Sequence, residues 1–166
     1  TIEWREKRGF QNIENQDFPD SIDENALISV VNQLATMAQA ESAETTPWCE
    51  LTIYLLNDDS IAAIHKSIQS IDESTDVITQ RYDAVPGEPE GLYGELFVNV
   101  QCALREGSSR VEWSPDLELA LYIAHGCDHL NEYDDSTEEG YCSMRARELE
   151  WLKQLRLTSI IIKPII

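Results

Sequence analysis

The chain has 166 residues, with 31 Asp and Glu against 12 Lys and Arg, giving a formal net charge of −19. Its hydrophobic share of 42% is that of a globular protein, and no run approaches the roughly 18 apolar residues of a membrane span. Such an acidic surface repels nucleic acid and anionic lipid, and the length fits one compact domain over residues 1–166.

Charge is unevenly spread. No basic residue falls between Arg8 and Lys66, and the only locally basic stretch holds Arg145, Arg147, Lys153, Arg156 and Lys163. Thr1 opens a polar, charged segment rather than a secretion leader, so the expected location is cytoplasmic, without membrane or DNA partners. Cys49, Cys102, Cys127 and Cys142 form no C-x-x-C pair and are expected as reduced thiols.

In chain order, Ser21-x-x-Glu24 reads as a capping box before Leu27, Val31, Leu34 and Ala38, which predicts a helix over 22–41. Leu51, Ile53 and Leu55 alternate as a half-buried strand. Asn57 to Ser60 supplies an N-cap for a short helix with Ile61, Ile64 and Ile68 on one face. A second strand is expected at 75–79, followed by a long loop with Pro86, Gly87, Pro89, Gly91 and Gly94. Leu96, Val98 and Val100 alternate as a further strand. Ser114-Pro115-Asp116 starts a helix with proline at its first position, buried through Leu117, Leu121 and Ala124. Ser136-x-x-Glu139 opens the last helix, and the apolar tail 159–166 suggests an edge strand. Helices and strands intersperse without a strict β-α-β rhythm, so the fold class is α+β.

The chemistry lies in His125-Gly126-Cys127-Asp128-His129. Two histidines four apart on a helix differ by about 40° of rotation, so both rings leave one face and can share a tetrahedral metal. A turn through Leu130 to Asp135 would swing a third ligand over the pair. Asp135 sits where such a ligand belongs, with Asp134 beside it. Gly126 excludes the H-E-x-x-H proteases, whose glutamate beside the first histidine serves as general base.

This block resembles the signature of the YbeY family of bacterial metal-dependent endoribonucleases. The family pattern is H-G-x-L-H-L-x-G-Y-D-H, and the chain reads H-G-C-D-H-L-N-E-Y-D-D from His125 to Asp135. Further stretches match in order. Ser74-Thr75-Asp76-Val77-Ile78 is similar to P-T-D-V-L, and Gly94-Glu95-Leu96-Phe97-Val98 to G-D-I-x-I. Ile64-His65-x-x-Ile68-Gln69 falls where L-N-x-x-Y-R is usual, and Met144-x-x-x-Glu148-x-x-x-Leu152 matches the closing helix. The resemblance is strongest over 50–155. It implies a mixed four- or five-stranded sheet flanked by helices, with a zincin-like metal-binding helix. It also implies one zinc ion on His125, His129 and Asp135, and endoribonuclease activity in rRNA maturation and ribosome quality control. The partners implied are ribosomal RNA or ribosomal proteins.

The departures are chemical. Asp135 replaces a histidine, so two imidazoles and a carboxylate leave a dication at a net +1, which acidifies its water less than three imidazoles would. Glu132 replaces a turn glycine, where φ > 0 is usual, so either the turn has another shape or it carries about 1 kcal/mol or more of strain. Gln69 stands where the family has an arginine suited to steadying phosphate charge. Asp128 replaces an apolar residue and reads either as an exposed helix carboxylate or as a group beside the metal. His65 is expected on the solvent side, Tyr133 as a packed aromatic under the turn, Asp134 as a turn-stabilising or ligand-orienting group, and Trp113 and Trp151 as core or rim packing. Thr75 and Asp76 end near the cleft, and the general base is unassigned. These losses admit an alternative, a catalytically weakened relative acting as a ribosome-assembly binding factor.

Overall fold

The computed structural model describes residues 11–42, 47–157 and 159–163. Its elements, in order, are β1 (Gln11–Glu14), α1 (Glu24–Glu41), β2 (Trp48–Leu56), α2 (Asp58–Gln69), β3 (Val77–Asp83), β4 (Leu92–Asn99), α3 (Val100–Ser109), α4 (Pro115–Leu130) and α5 (Glu138–Gln154). The four strands form one mixed sheet in the order β1-β2-β4-β3. β1 and β4 run parallel to β2, while β3 pairs antiparallel with β4, Val77 opposite Val98. The architecture is α+β, as expected.

Alternation along the strands divides the sheet's two faces. Leu51, Ile53 and Leu55 of β2 and Leu96 and Val98 of β4 point to one side, where Leu27, Val31 and Leu34 of α1 and Leu119, Ile123 and Leu130 of α4 complete the main core. On the other side α2 covers only a small cluster of Ile61, Ile78 and Phe97, with Tyr54 stacked on Phe97 at 4.6 Å between centroids. The main layer therefore presses α4 against the centre of the sheet, with the β3 edge beside it.

Several local expectations shift. The first helix is capped by Asp23, which accepts from Ala26 N, rather than by Ser21. The last is capped by Thr137 rather than Ser136. The second strand begins at Val77 and runs to Asp83, into the presumed loop. Ile162 makes an isolated antiparallel bridge to Ile22 instead of joining the sheet, and residues 164–166 of the tail lie outside the described residues. That tail is anchored where Asp116 accepts the Ile161 and Ile162 backbone N–H groups, both at 2.9 Å. Among the described residues no helix is long and apolar enough to cross a membrane.

Candidate metal centre

The helix that carries the two histidines is well founded at its start. Ser114 accepts from Leu117 N, Pro115 takes the first turn where no N–H partner is needed, and Asp116 and Glu118 favour the positive helix end. Its middle is pressed flat on β4 through Gly126, where a Cβ would lie 2.6 Å from Leu96 Cδ2. The glycine that rules out an acid beside the first histidine is thus required by packing. Cys127, fully buried, faces the same core. His125 and His129 are left on the flank toward β3, their rings edge to face at 4.5 Å.

The chain then turns sharply. Glu132 N bonds His129 O, and Glu132 adopts φ 65°, so the turn keeps the left-handed geometry that a glycine usually supplies, the second of the two alternatives. The Asp134 carboxylate accepts from Ser136 N at 2.9 Å and Ser136 Oγ at 2.7 Å, which bends the chain toward α5 and holds that carboxyl below its ordinary range. Asp134 is therefore a turn residue, and Asp135 is the one brought back to the histidines.

Asp135 Oδ2 lies 3.3 Å from His125 Nε2 and 3.3 Å from His129 Nε2, and the two Nε2 atoms are 3.0 Å apart. Donors about 2.0–2.1 Å from a tetrahedral zinc stand about 3.3–3.4 Å from one another, so this triangle has the size of a three-donor metal face. Both Nδ1 atoms are engaged elsewhere: His125 Nδ1 with Glu148 Oε2 at 2.8 Å and His129 Nδ1 with the Tyr133 carbonyl at 3.2 Å. If each Nδ1 carries the proton, both Nε2 lone pairs face the centre. The residues present fit a divalent ion. His125, His129 and Asp135 could hold one, all three half-buried at the mouth of a cleft.

Glu148 is fully buried, and its Oε1 lies 3.7 Å from Arg145 Nε. Burial pulls the His125 imidazole down, but the Glu148 hydrogen bond and charge outweigh it and leave the ring above its ordinary value. Sequence reading registered Glu148 only as part of a helix pattern. The signal that a carboxylate would back His125 is tertiary, since the two are 23 residues apart. Asp128 is not the exposed carboxylate of one reading. It is fully buried and clasped by Arg147, Nε to Oδ1 at 2.9 Å and Nη2 to Oδ2 at 3.2 Å. Burial lifts its carboxyl above the ordinary range even against the pull of Arg147.

The cleft beside the triad measures about 560 Å³ and is lined by Gln69, Thr75, Asp76 and Arg81 as well as the three candidate ligands. Arg81 Nη1 donates to Leu130 O at 2.6 Å and so ties β3 to the end of α4. His65 is buried, not solvent-facing: Nδ1 meets Glu73 O at 2.9 Å and Nε2 meets Gln69 Oε1 at 3.3 Å. Trp113 and Trp151 pack on the core, as expected.

An α+β fold with H-x-x-x-H on a helix and a carboxylate returned by the next turn is of the zincin-like type. A family model for endoribonuclease YbeY matches residues 12–156, and the chain belongs to that family. An endoribonuclease YbeY of Chlamydia pneumoniae is 33% identical over 134 residues, covering 78% of this chain and 82% of the relative. One of Protochlamydia amoebophila is 30% identical over 135 residues, covering 81% and 89%. The solution structure of TM1509 from Thermotoga maritima superposes with a TM-score of 0.54 over 87% of each chain at 18% identity, a likeness of fold.

Proposed function

We propose that this chain is a metal-dependent endoribonuclease acting in rRNA maturation and ribosome quality control, with one zinc ion held by His125, His129 and Asp135. The observation that carries the reading is the donor triangle, with both Nδ1 atoms engaged behind it. Family membership supplies the activity, since the relatives are named endoribonucleases. Residues 1–166 are taken as one domain working in the cytoplasm, with ribosomal RNA or ribosomal proteins as partners.

A bound divalent ion supplies Lewis-acid polarisation of a phosphodiester oxygen and a lowered pKa for water. The chain's own groups do the rest. Glu148 fixes the His125 ring, and the Tyr133 carbonyl fixes His129. The Gln69 amide, at the cleft wall, can donate to a phosphate oxygen, though as a neutral group it offsets less charge than an arginine. Thr75 and Asp76 form the rim that an RNA strand would pass.

The test is cleavage of a structured rRNA fragment by untreated, EDTA-treated and zinc-restored protein, with His125→Ala alongside. Activity should fall at least 100-fold on chelation, return with zinc, and be missing in the variant. Equal cleavage in chelated and untreated samples would remove the metal from the reaction.

A further inference from the structure

The turn that delivers Asp135 passes through a left-handed non-glycine residue, Glu132 at φ 65°, a geometry that persists only where surrounding contacts impose it. The next residue, Tyr133, is itself held by several contacts. Its carbonyl accepts from His129 Nδ1 at 3.2 Å, and it stands two residues before Asp135, so its placement bears on two of the three ligands. Its ring lies under the Arg147 guanidinium, 3.9 Å from the guanidinium carbon to the ring centroid. Arg147 in turn is held in a two-point clasp on Asp128, which is 0% exposed and sits on α4 next to His129.

We infer that Arg147 and Tyr133 are positioning residues: anchored on Asp128, the Arg147 guanidinium pins the Tyr133 ring and so presents His129 and Asp135 together to the metal. This inference rests on the metal reading above. The chain of contacts runs from α5 through a buried carboxylate on α4 to an aromatic face, three groups whose planes and charges fix one geometry. A planar guanidinium can clasp a carboxylate edge-on and stack on a ring at once, which an ammonium cannot. The Arg147 side chain is only 19% exposed, so water competes little for either contact.

Titration of the metal-free full chain with Co2+ alone, followed by visible ligand-field absorption, tests it. Tyr133→Phe keeps the ring and should bind Co2+ within about twofold of the unsubstituted protein, with the same spectrum. Tyr133→Leu should weaken binding about 10-fold or more and lower the absorption, as water replaces a loosened third donor. Asp128→Leu combined with Arg147→Met removes the clasp without stranding a buried charge and should reproduce the Tyr133→Leu spectrum. Asp135→Ala is the reference for a lost ligand. If Tyr133→Leu binds like the unsubstituted protein while Asp135→Ala is weakened, the pin is refuted and the ligand set stands. Equal losses in Tyr133→Phe and Tyr133→Leu refute it too, because the ring is then not the working part. If Asp135→Ala itself binds Co2+ unchanged, the ligand set fails and takes the inference with it. Should the double variant not fold by far-UV circular dichroism, the Tyr133 variants decide, on a residue 36% exposed.

Discussion

Gly126 shows how one position can serve both packing and chemistry. Alanine is the better helix former by about 1 kcal/mol, yet its Cβ at 126 would meet Leu96 Cδ2 at 2.6 Å and Cδ1 at 2.9 Å, and Leu96 is fully buried with little room to retreat. Gly126→Ala should therefore destabilise by about 1–3 kcal/mol, read as a lower urea midpoint at unchanged m-value. The histidine pair and its candidate third ligand were legible in the sequence because their spacing is local. Glu148, the buried state of Asp128 and the interior position of His65 were not, since each depends on a partner brought in by the tertiary fold. For Asp128 the partner, Arg147, is one of the residues that sequence alone places in a basic stretch.

Among the elements, Asn99 joins two of them and stabilises a third segment. At the end of β4 it caps α3 by accepting from Cys102 N, and its amide donates to Asp58, Ser74 Oγ and the Thr75 carbonyl. It thereby locks the strand approach to the cleft rim. Asn99→Ala, at a position 0% exposed, should cost about 2–4 kcal/mol from the lost cap and the orphaned buried groups, measured by chemical denaturation. Asp58 belongs to the same junction. The Arg105 clasp and the Asn99 amide hold its carboxyl at about 2, below the ordinary 3.8. A depressed carboxylate contributes stability above its unfolded pKa and loses it as pH falls through the folded one. The difference in melting temperature between the protein and Asp58→Asn should accordingly shrink between about pH 4 and pH 2 and be flat from pH 5 to 7. α3 escaped sequence reading because Val100, its first residue, continues the Leu96-Val98 alternation. β1 escaped because Gln11-Asn12-Ile13-Glu14 has too little apolar character to stand out. The long strongly periodic elements, α1, β2 and α4, were legible as to type, and so was the Ser114 cap of α4, whereas the caps of α1 and α5 slipped by one or two residues because Ser, Thr and Asp crowd those boundaries.

Over the whole molecule, the charge of −19 opposes a polyanionic substrate, and the basic stretch near the end offers little relief. Arg147 is committed to Asp128, Arg145 lies near Glu148, and Lys153 faces Glu150 at 3.9 Å. Repulsion between like-charged macromolecules is long-ranged and screened by salt. The KM for RNA should then fall as NaCl rises from about 50 to 200 mM, opposite to the weakening seen when many phosphates are neutralised by cations. A KM that climbs steeply over that range would show that local cations govern capture. One buried side chain bears on durability. Cys127 lies between the two histidines in sequence, yet it points into the core, and burial pushes its thiol far above the ordinary range. Peroxide or an alkylating reagent should mark Cys142, exposed on α5, well before Cys127. A candidate centre built from imidazole and carboxylate, with the cysteine of its own helix turned into the core, presents no thiol from that helix to an oxidant, so peroxide treatment should leave the protein's affinity for a divalent ion unchanged.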